Sequence, residues 1–171
     1  MDWNEYAKLA SRTAPENLTR KDRVVTAALG ICGELAELAD AHHKYNDAHF
    51  LEEAGDVCWY LAVGGLTDFV PVKPHEDLHI WADEAGFNSM LLRLFKSAGT
   101  YADHVKKYTK QGHAWTDGPP HMALLDVATD LYLLLFLKNM NWEQALVENV
   151  EKLKKRYPNG FAVDRSVYRE D

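Results

Sequence analysis

The sequence predicts an all-α protein, folded as an antiparallel helix bundle with short loops. Three observations lead there. Apolar residues recur at three- and four-residue spacing along most of the 171 residues, and little of the chain alternates as a strand would. Helix-ending and helix-starting residues, among them Thr19, Gly64-Gly65, Pro120, Asn141 and Pro158, divide that pattern into segments of helical length. Two acid pairs, Glu34-x-x-Glu37 and Glu53-x-x-Asp56, fall on consecutive segments, and i, i+3 spacing puts both acids of each pair on one helix face.

Trp3, Tyr6, Ala7 and Ala10 make one face of a short helix from Trp3 to about Thr13. A loop through Pro15 follows at Ala14–Leu18. Thr19 is placed to cap the next helix, with Asp22 as capping-box partner, and that helix runs from about Lys21 to Lys44. Gly30 and Gly33 lie inside it and each costs on the order of 1 kcal/mol against Ala, which tight packing or close approach of a ligand would justify. Tyr45–Ala48 is a turn. A helix from about His49 to Leu66 ends at Gly64-Gly65. Phe69–Pro74 is a connector and Glu76–Ala85 a short helix. Helices from about Phe87 to Lys110 and Pro120 to Asn139 flank a loop at Gln111–Pro119, Pro120 suiting a helix N-terminus. Asn141 caps the last helix, Trp142–Arg156, and Pro158 stops it.

The length suits a single domain, residues 1–171, with a sizeable core. A net charge of −7 excludes a general nucleic-acid surface, yet not a nucleotide, because a bound cation can reverse the local sign. Cys32 and Cys58 are too few for a disulfide framework and read as small reduced core residues of a cytoplasmic protein. The N-terminus MDWNEYAKLA has no signal-peptide pattern, and the apolar run Leu131–Leu137 is core rather than a membrane span.

The acid pairs are set among apolar neighbours: Ala27, Ala28, Ile31, Leu35 and Leu38 around the first, and Val57, Cys58, Trp59, Leu61 and Val63 after the second. Clustered carboxylates in low dielectric are costly and repel one another. Hard cations such as Mg²⁺, which take oxygen ligands and arrive with phosphates, relieve that cost. Neither acid pair is a Glu-x-x-His motif, which disfavours imidazole-preferring metals there. His75-x-x-x-His79 lacks the further ligands of a zinc site, and His42-His43 reads as a solvated helix end. Trp59 and Tyr60 read as core, while Trp81 and Trp115 lie in connectors open to a ligand base. P-loop, dinucleotide-fold and nucleophile-elbow motifs do not occur.

With Glu34, Glu37, Glu53 and Asp56 in the order E-x-x-E, fifteen residues, E-x-x-D, the chain resembles the all-α nucleoside triphosphate pyrophosphohydrolases, the MazG-like and dimeric dUTPase-like superfamily. A second stretch, Asn149-x-x-Lys152-Leu153-x-x-Arg156-Tyr157-Pro158-x-Gly160-Phe161, resembles that family's closing motif. The start, Asn4-Glu5-Tyr6…Arg12-Thr13, fits more loosely.

The resemblance implies a MazG-like bundle in which Glu34, Glu37, Glu53 and Asp56 hold Mg²⁺, with Mn²⁺ as a substitute. It implies water attack at the α-phosphorus of a nucleoside triphosphate, releasing pyrophosphate and a monophosphate. Glu37 and Glu52 are the candidates for the proton acceptor; some relatives carry an acid where this chain has Gly33, so both stay open. The resemblance sets Lys152, Arg156 and Lys155 on phosphate oxygens, and Lys44 is a further candidate. Cations at a helix C-terminus also complement its dipole, a role worth roughly 0.3–1 kcal/mol each. Arg165 and Arg169 follow on a polar tail.

Residues 19–68 and 87–140 form a weak repeat, followed by a closing helix and tail at 141–171. Ala39–Tyr45 matches Ala102–Tyr108, and Glu52–Asp56 matches Asp126–Asp130. Glu34 and Glu37 fall opposite Ser97 and Thr100, and Glu53 opposite Val127, so the second copy loses most of the acids. The expectation is a fused pseudo-dimer, monomeric in itself, or else a homodimer or higher oligomer. The expected partner is a nucleoside triphosphate, with no nucleic acid and no membrane. Two alternatives stand: a non-catalytic bundle binding nucleotide or a protein through a relic metal site, and a hydrolase of the same fold acting on another pyrophosphate.

Overall fold

The computed structural model describes residues 1–75, 83–115 and 118–167. These residues form seven helices and no strand: α1 (Trp3–Ser11), α2 (Arg20–His43), α3 (Asp47–Gly64), α4 (Glu84–Lys110), α5 (Pro119–Leu137), α6 (Trp142–Arg156) and α7 (Val163–Val167). Two hairpins dominate. In the first, α2 lies along α3; in the second, α4 lies along α5. The hairpins join through α2 on α4 and α3 on α5, and α1 and α6 pack on α3.

Local sequence sets the boundaries. The Thr19–Asp22 capping box forms in full, each side chain reaching the other's backbone N–H. Asn46, Asp83 and Asn141 cap α3, α4 and α6 by accepting from the N–H groups of His49, Gly86 and Gln144. The Asp83 cap starts α4 at Glu84, ahead of the expected Phe87; residues 76–82 of the expected Glu76–Ala85 helix lie outside the described residues, as do Trp81 and His79. The α2–α3 turn is tighter than Tyr45–Ala48, since Asn46 already caps α3 and Tyr45 takes a left-handed conformation with φ 54°. Gly65, at φ 93°, closes α3. Tyr157, at φ −128° and ψ 65° and kept out of the helical region by the following proline, ends α6.

The core runs through both hairpins. Ile31, Leu35 and Leu38 of α2, Leu61 of α3, Leu94 of α4 and Leu131, Leu134 and Leu135 of α5 are fully buried. Helix α1 anchors on this core through Trp3, whose indole donates to the Leu66 carbonyl at 3.0 Å and meets Phe69 and Trp142. Within α5, the stretch Pro120–Leu137 is long and apolar enough, by length and composition, to cross a membrane, and 56% of it is buried inside the fold. Its apolarity is that of a helix packed on several sides.

Two expectations are corrected. Cys32 is exposed, because it points away from the α2–α3 seam; only Cys58 is a core thiol. His42 is not a solvated helix end. It stacks on Phe87 at 3.9 Å, its Nδ1 is buried, and burial holds its pKa below the usual histidine value. Trp115 is half-buried against Tyr101 and Tyr108, with the Arg20 guanidinium over its ring. Trp59 and Tyr60 are half-buried at the core's edge, Trp59 donating to Thr13.

Glycines make the closest contacts. A Cβ on Gly30 would overlap the Tyr60 ring at about 2.1 Å, whereas one on Gly33 would meet open space. Packing therefore explains the first glycine and not the second. At Gly55 a Cβ would lie 2.9 Å from Asn149 Cβ and 3.1 Å from the Ala145 carbonyl, so glycine sets how closely α3 and α6 approach. Gly55→Ala should destabilise the fold by about 1–3 kcal/mol through overpacking. A urea midpoint unchanged from wild type would refute that limit on approach.

Candidate metal centre

Four helix positions bring the acids together. Glu34 and Glu37 stand one turn apart on α2, and Glu53 and Asp56 one turn apart on α3. Two sets of ligand atoms converge. Oxygens of Glu34, Glu53 and Asp56 lie within 4.8 Å of one another, and so do oxygens of Glu37 and Glu53 with a nitrogen of His49. Glu53 belongs to both sets and is 4% exposed; Glu34 and Asp56 are half-buried and Glu37 is exposed.

Burial dominates the electrostatics. It pushes the Glu34 carboxyl from 4.5 up to about 8, with the hydrogen bond to Glu53 and repulsion from Asp56 adding to the effect. Burial also raises Glu53, against the opposing pull of the hydrogen bond from Glu34. Without a cation, then, Glu34 keeps a proton and shares it with Glu53. Asp56 is raised by burial too, although the Lys152 ammonium pulls the other way.

Helix α6 supplies the opposite charge. Lys152 donates to Asp56, and to Glu52 at 3.0 Å. Burial alone would lower Lys152, but the two carboxylates outweigh it and hold its proton more tightly than usual. Burial likewise pulls Glu52 upward, and its bonds to Lys152 and His49 bring it below the ordinary value. Asn149, one turn before Lys152, donates to the other oxygen of Asp56 at 2.7 Å. Its own oxygen accepts from the fully buried Tyr6 hydroxyl at 2.8 Å, which orients the amide. The relay Tyr6–Asn149–Asp56 joins the N-terminal motif, the closing motif and the acid site.

The carboxylates and Lys152 line one cleft of about 1130 Å³. Glu34, Glu37, Glu52, Glu53 and Asp56 line it from α2 and α3; Lys152, Lys155 and Arg156 line it from α6 together with Glu148 and Glu151, and Arg165 lines it from α7. Lys44 does not reach it. That side chain is exposed and pairs with Asp40 one turn back, at 2.6 Å, because the end of α2 projects beyond the acid pairs. Arg165 comes from the short helix α7, which the sequence pattern did not reveal, and it donates to the Arg156 carbonyl. Arg169 lies outside the described residues. The histidine was missed as well. The available signal was its spacing, His49 standing one turn before Glu53.

The second hairpin has a counterpart. Asp130 is fully buried, accepts from Ser97 Oγ at 2.7 Å, and lies 2.8 Å from Arg93 Nε in an ion pair not aligned as a hydrogen bond. Asp130 and Ser97 are the residues that the repeat sets opposite Asp56 and Glu34. Burial raises the Asp130 pKa, and the Ser97 hydrogen bond and the Arg93 guanidinium offset part of that.

In comparisons with known proteins, no family model, curated protein or solved structure matches this chain.

The donor set fits divalent cations: oxygens from two helices, buried where their mutual repulsion is poorly screened, with one carboxyl held protonated for lack of positive charge. Because the folded Glu34 binds a proton that the unfolded chain releases, this group's stabilisation is lost as pH rises from about 4.5 towards about 8. In chelator the melting temperature should therefore fall between pH 5 and pH 8. Added Mg²⁺ should raise it, and more at pH 8 than at pH 5, since cation and proton compete for the same oxygens. A melting temperature in chelator that climbs over that interval would contradict the assignment.

Proposed function

We propose that this protein is a Mg²⁺-dependent nucleoside triphosphate pyrophosphohydrolase, converting a ribo- or deoxyribonucleoside triphosphate to its monophosphate and pyrophosphate. One observation carries the reading: a single cleft that holds the converging carboxylates of α2 and α3 together with the cations Lys152, Lys155, Arg156 and Arg165. A triphosphate with its divalent ions needs both signs of charge at close range. The resemblance of the acid pairs and the closing motif to the MazG-like and dUTPase-like enzymes supports the same reading.

Bound cations in such a site polarise phosphate oxygens and lower the pKa of a bound water. Glu34, Glu53 and Asp56 are the inner ligands, and Glu37 stands at the more open side. Lys152 is shared between Glu52 and Asp56, so an entering phosphate competes with these acids for its ammonium. Glu52, ionised and half-exposed beside Lys152, can accept the proton of the attacking water once that lysine turns to phosphate; Glu37 is the other candidate. Asn149 and Tyr6 keep Asp56 aimed at the cleft. The proposal extends to a cytoplasmic enzyme of nucleotide metabolism in which the second hairpin is a degenerate copy of the first.

Incubation with a panel of nucleoside triphosphates and Mg²⁺ should release pyrophosphate rather than orthophosphate. Glu53→Gln should abolish that release, and Lys152→Ala should lower kcat by about 100-fold or more, the scale of losing one charge-stabilising contact. Orthophosphate as the initial product, or pyrophosphate release unaffected by Glu53→Gln, would refute the assignment.

A further inference from the structure

We propose that His49 is a nitrogen ligand at the outer of two adjoining cation positions, and that it makes this position select a transition-metal dication of the Mn²⁺ type over Mg²⁺. The inference rests on the carboxylates being a cation site and goes beyond it, because the resemblance gives an all-oxygen set of four acids.

The geometry divides the ligands in two. Glu34, Glu53 and Asp56 make an all-oxygen inner triad; Glu37, His49 and Glu53 make an outer triad of two carboxylates and an imidazole. Glu53, buried between them, bridges both. His49 is placed by the fold rather than by chance exposure. Its backbone N–H is held by the Asn46 cap, so its ring starts in the first turn of α3. One turn later is Glu53, whose Oε1 lies 3.1 Å from His49 Nδ1. Glu37 reaches the same point from α2 across the hairpin seam, so ligands from two helices converge.

The side chain also faces Glu52, at 3.7 Å, on the same wall of the cleft. Three carboxylates thus surround one imidazole, and a dication bound through its nitrogen would satisfy them together. Mg²⁺ keeps oxygen ligands and its own waters, and gains little from an imidazole. Transition dications accept imidazole nitrogen readily. The two positions accordingly differ in preference: the inner one suits an ion with oxygen ligands alone, the outer one an ion that also accepts nitrogen.

Metal-free protein would be titrated calorimetrically with MnCl₂ and with MgCl₂, and the Mn²⁺-loaded protein examined by pulsed electron paramagnetic resonance for ¹⁴N coupling. The wild type should show imidazole ¹⁴N coupling. His49→Gln should lose that coupling and bind Mn²⁺ about tenfold or more weakly, while its Mg²⁺ affinity changes little. Absence of ¹⁴N coupling in the wild type, or equal weakening for both ions, would overturn the role of His49. Glu53→Gln separates this from failure of the underlying reading. If it binds both ions as the wild type does, the carboxylates are no cation site at all; if it loses both while His49→Gln changes nothing, only the histidine inference fails.

Discussion

Glu53 is the constraint from which the local architecture follows. Its carboxylate is almost completely removed from water, at the seam where α2 meets α3. A buried acid needs a proton, a cation or donors. Here Glu34 shares a proton with it from α2, and His49 stands one turn before it. The hairpin packs closely enough for this because small and aliphatic residues fill the same seam: Ala27, Ile31, Leu35 and Leu38 on one side, Ala54, Val57 and Leu61 on the other. Apolar packing forces the acids together, and their repulsion makes the place receptive to positive charge.

Helix α6 completes the arrangement. Gly55 lets it approach α3 closely, so Asn149 and Lys152 reach both oxygens of Asp56. The lysine does more than complement a helix dipole. Its ammonium stands between two acids and offsets their charge. The Tyr6 hydroxyl, buried behind Asn149, ties the first helix to the same point. Three segments distant in sequence thus fix one carboxylate, and both stretches that resemble the pyrophosphohydrolases meet there.

The second hairpin answers the same physical problem differently. Asp130 is as deeply buried as Glu53, and Arg93 and Ser97 partly offset that burial, which still raises its pKa. In the first hairpin the position that the repeat sets opposite Arg93 is Gly30, which supplies no charge and lets Tyr60 pack against the helix backbone.

Helix periodicity, the Thr19–Asp22 capping box and the Asn141 cap follow from local chemistry, so the sequence by itself determined the all-α class, the order of helices and the i, i+3 acid pairs. The acid pairs were legible because helical spacing alone puts each pair on one face. The partner of each acid was not. Lys152 and Lys44 look alike in sequence, a lysine near a helix end in each case; only the packing of α6 on α3 carries the first to the acids, while the second extends to Asp40 at the surface. Likewise, His42 and His49 are both histidines at a helix end. One is stacked beneath Phe87 and the other turned to Glu53, according to which neighbours the bundle provides. Burial, and with it the proton on Glu34, depends on contacts between helices far apart in the chain, and those the tertiary structure alone decided.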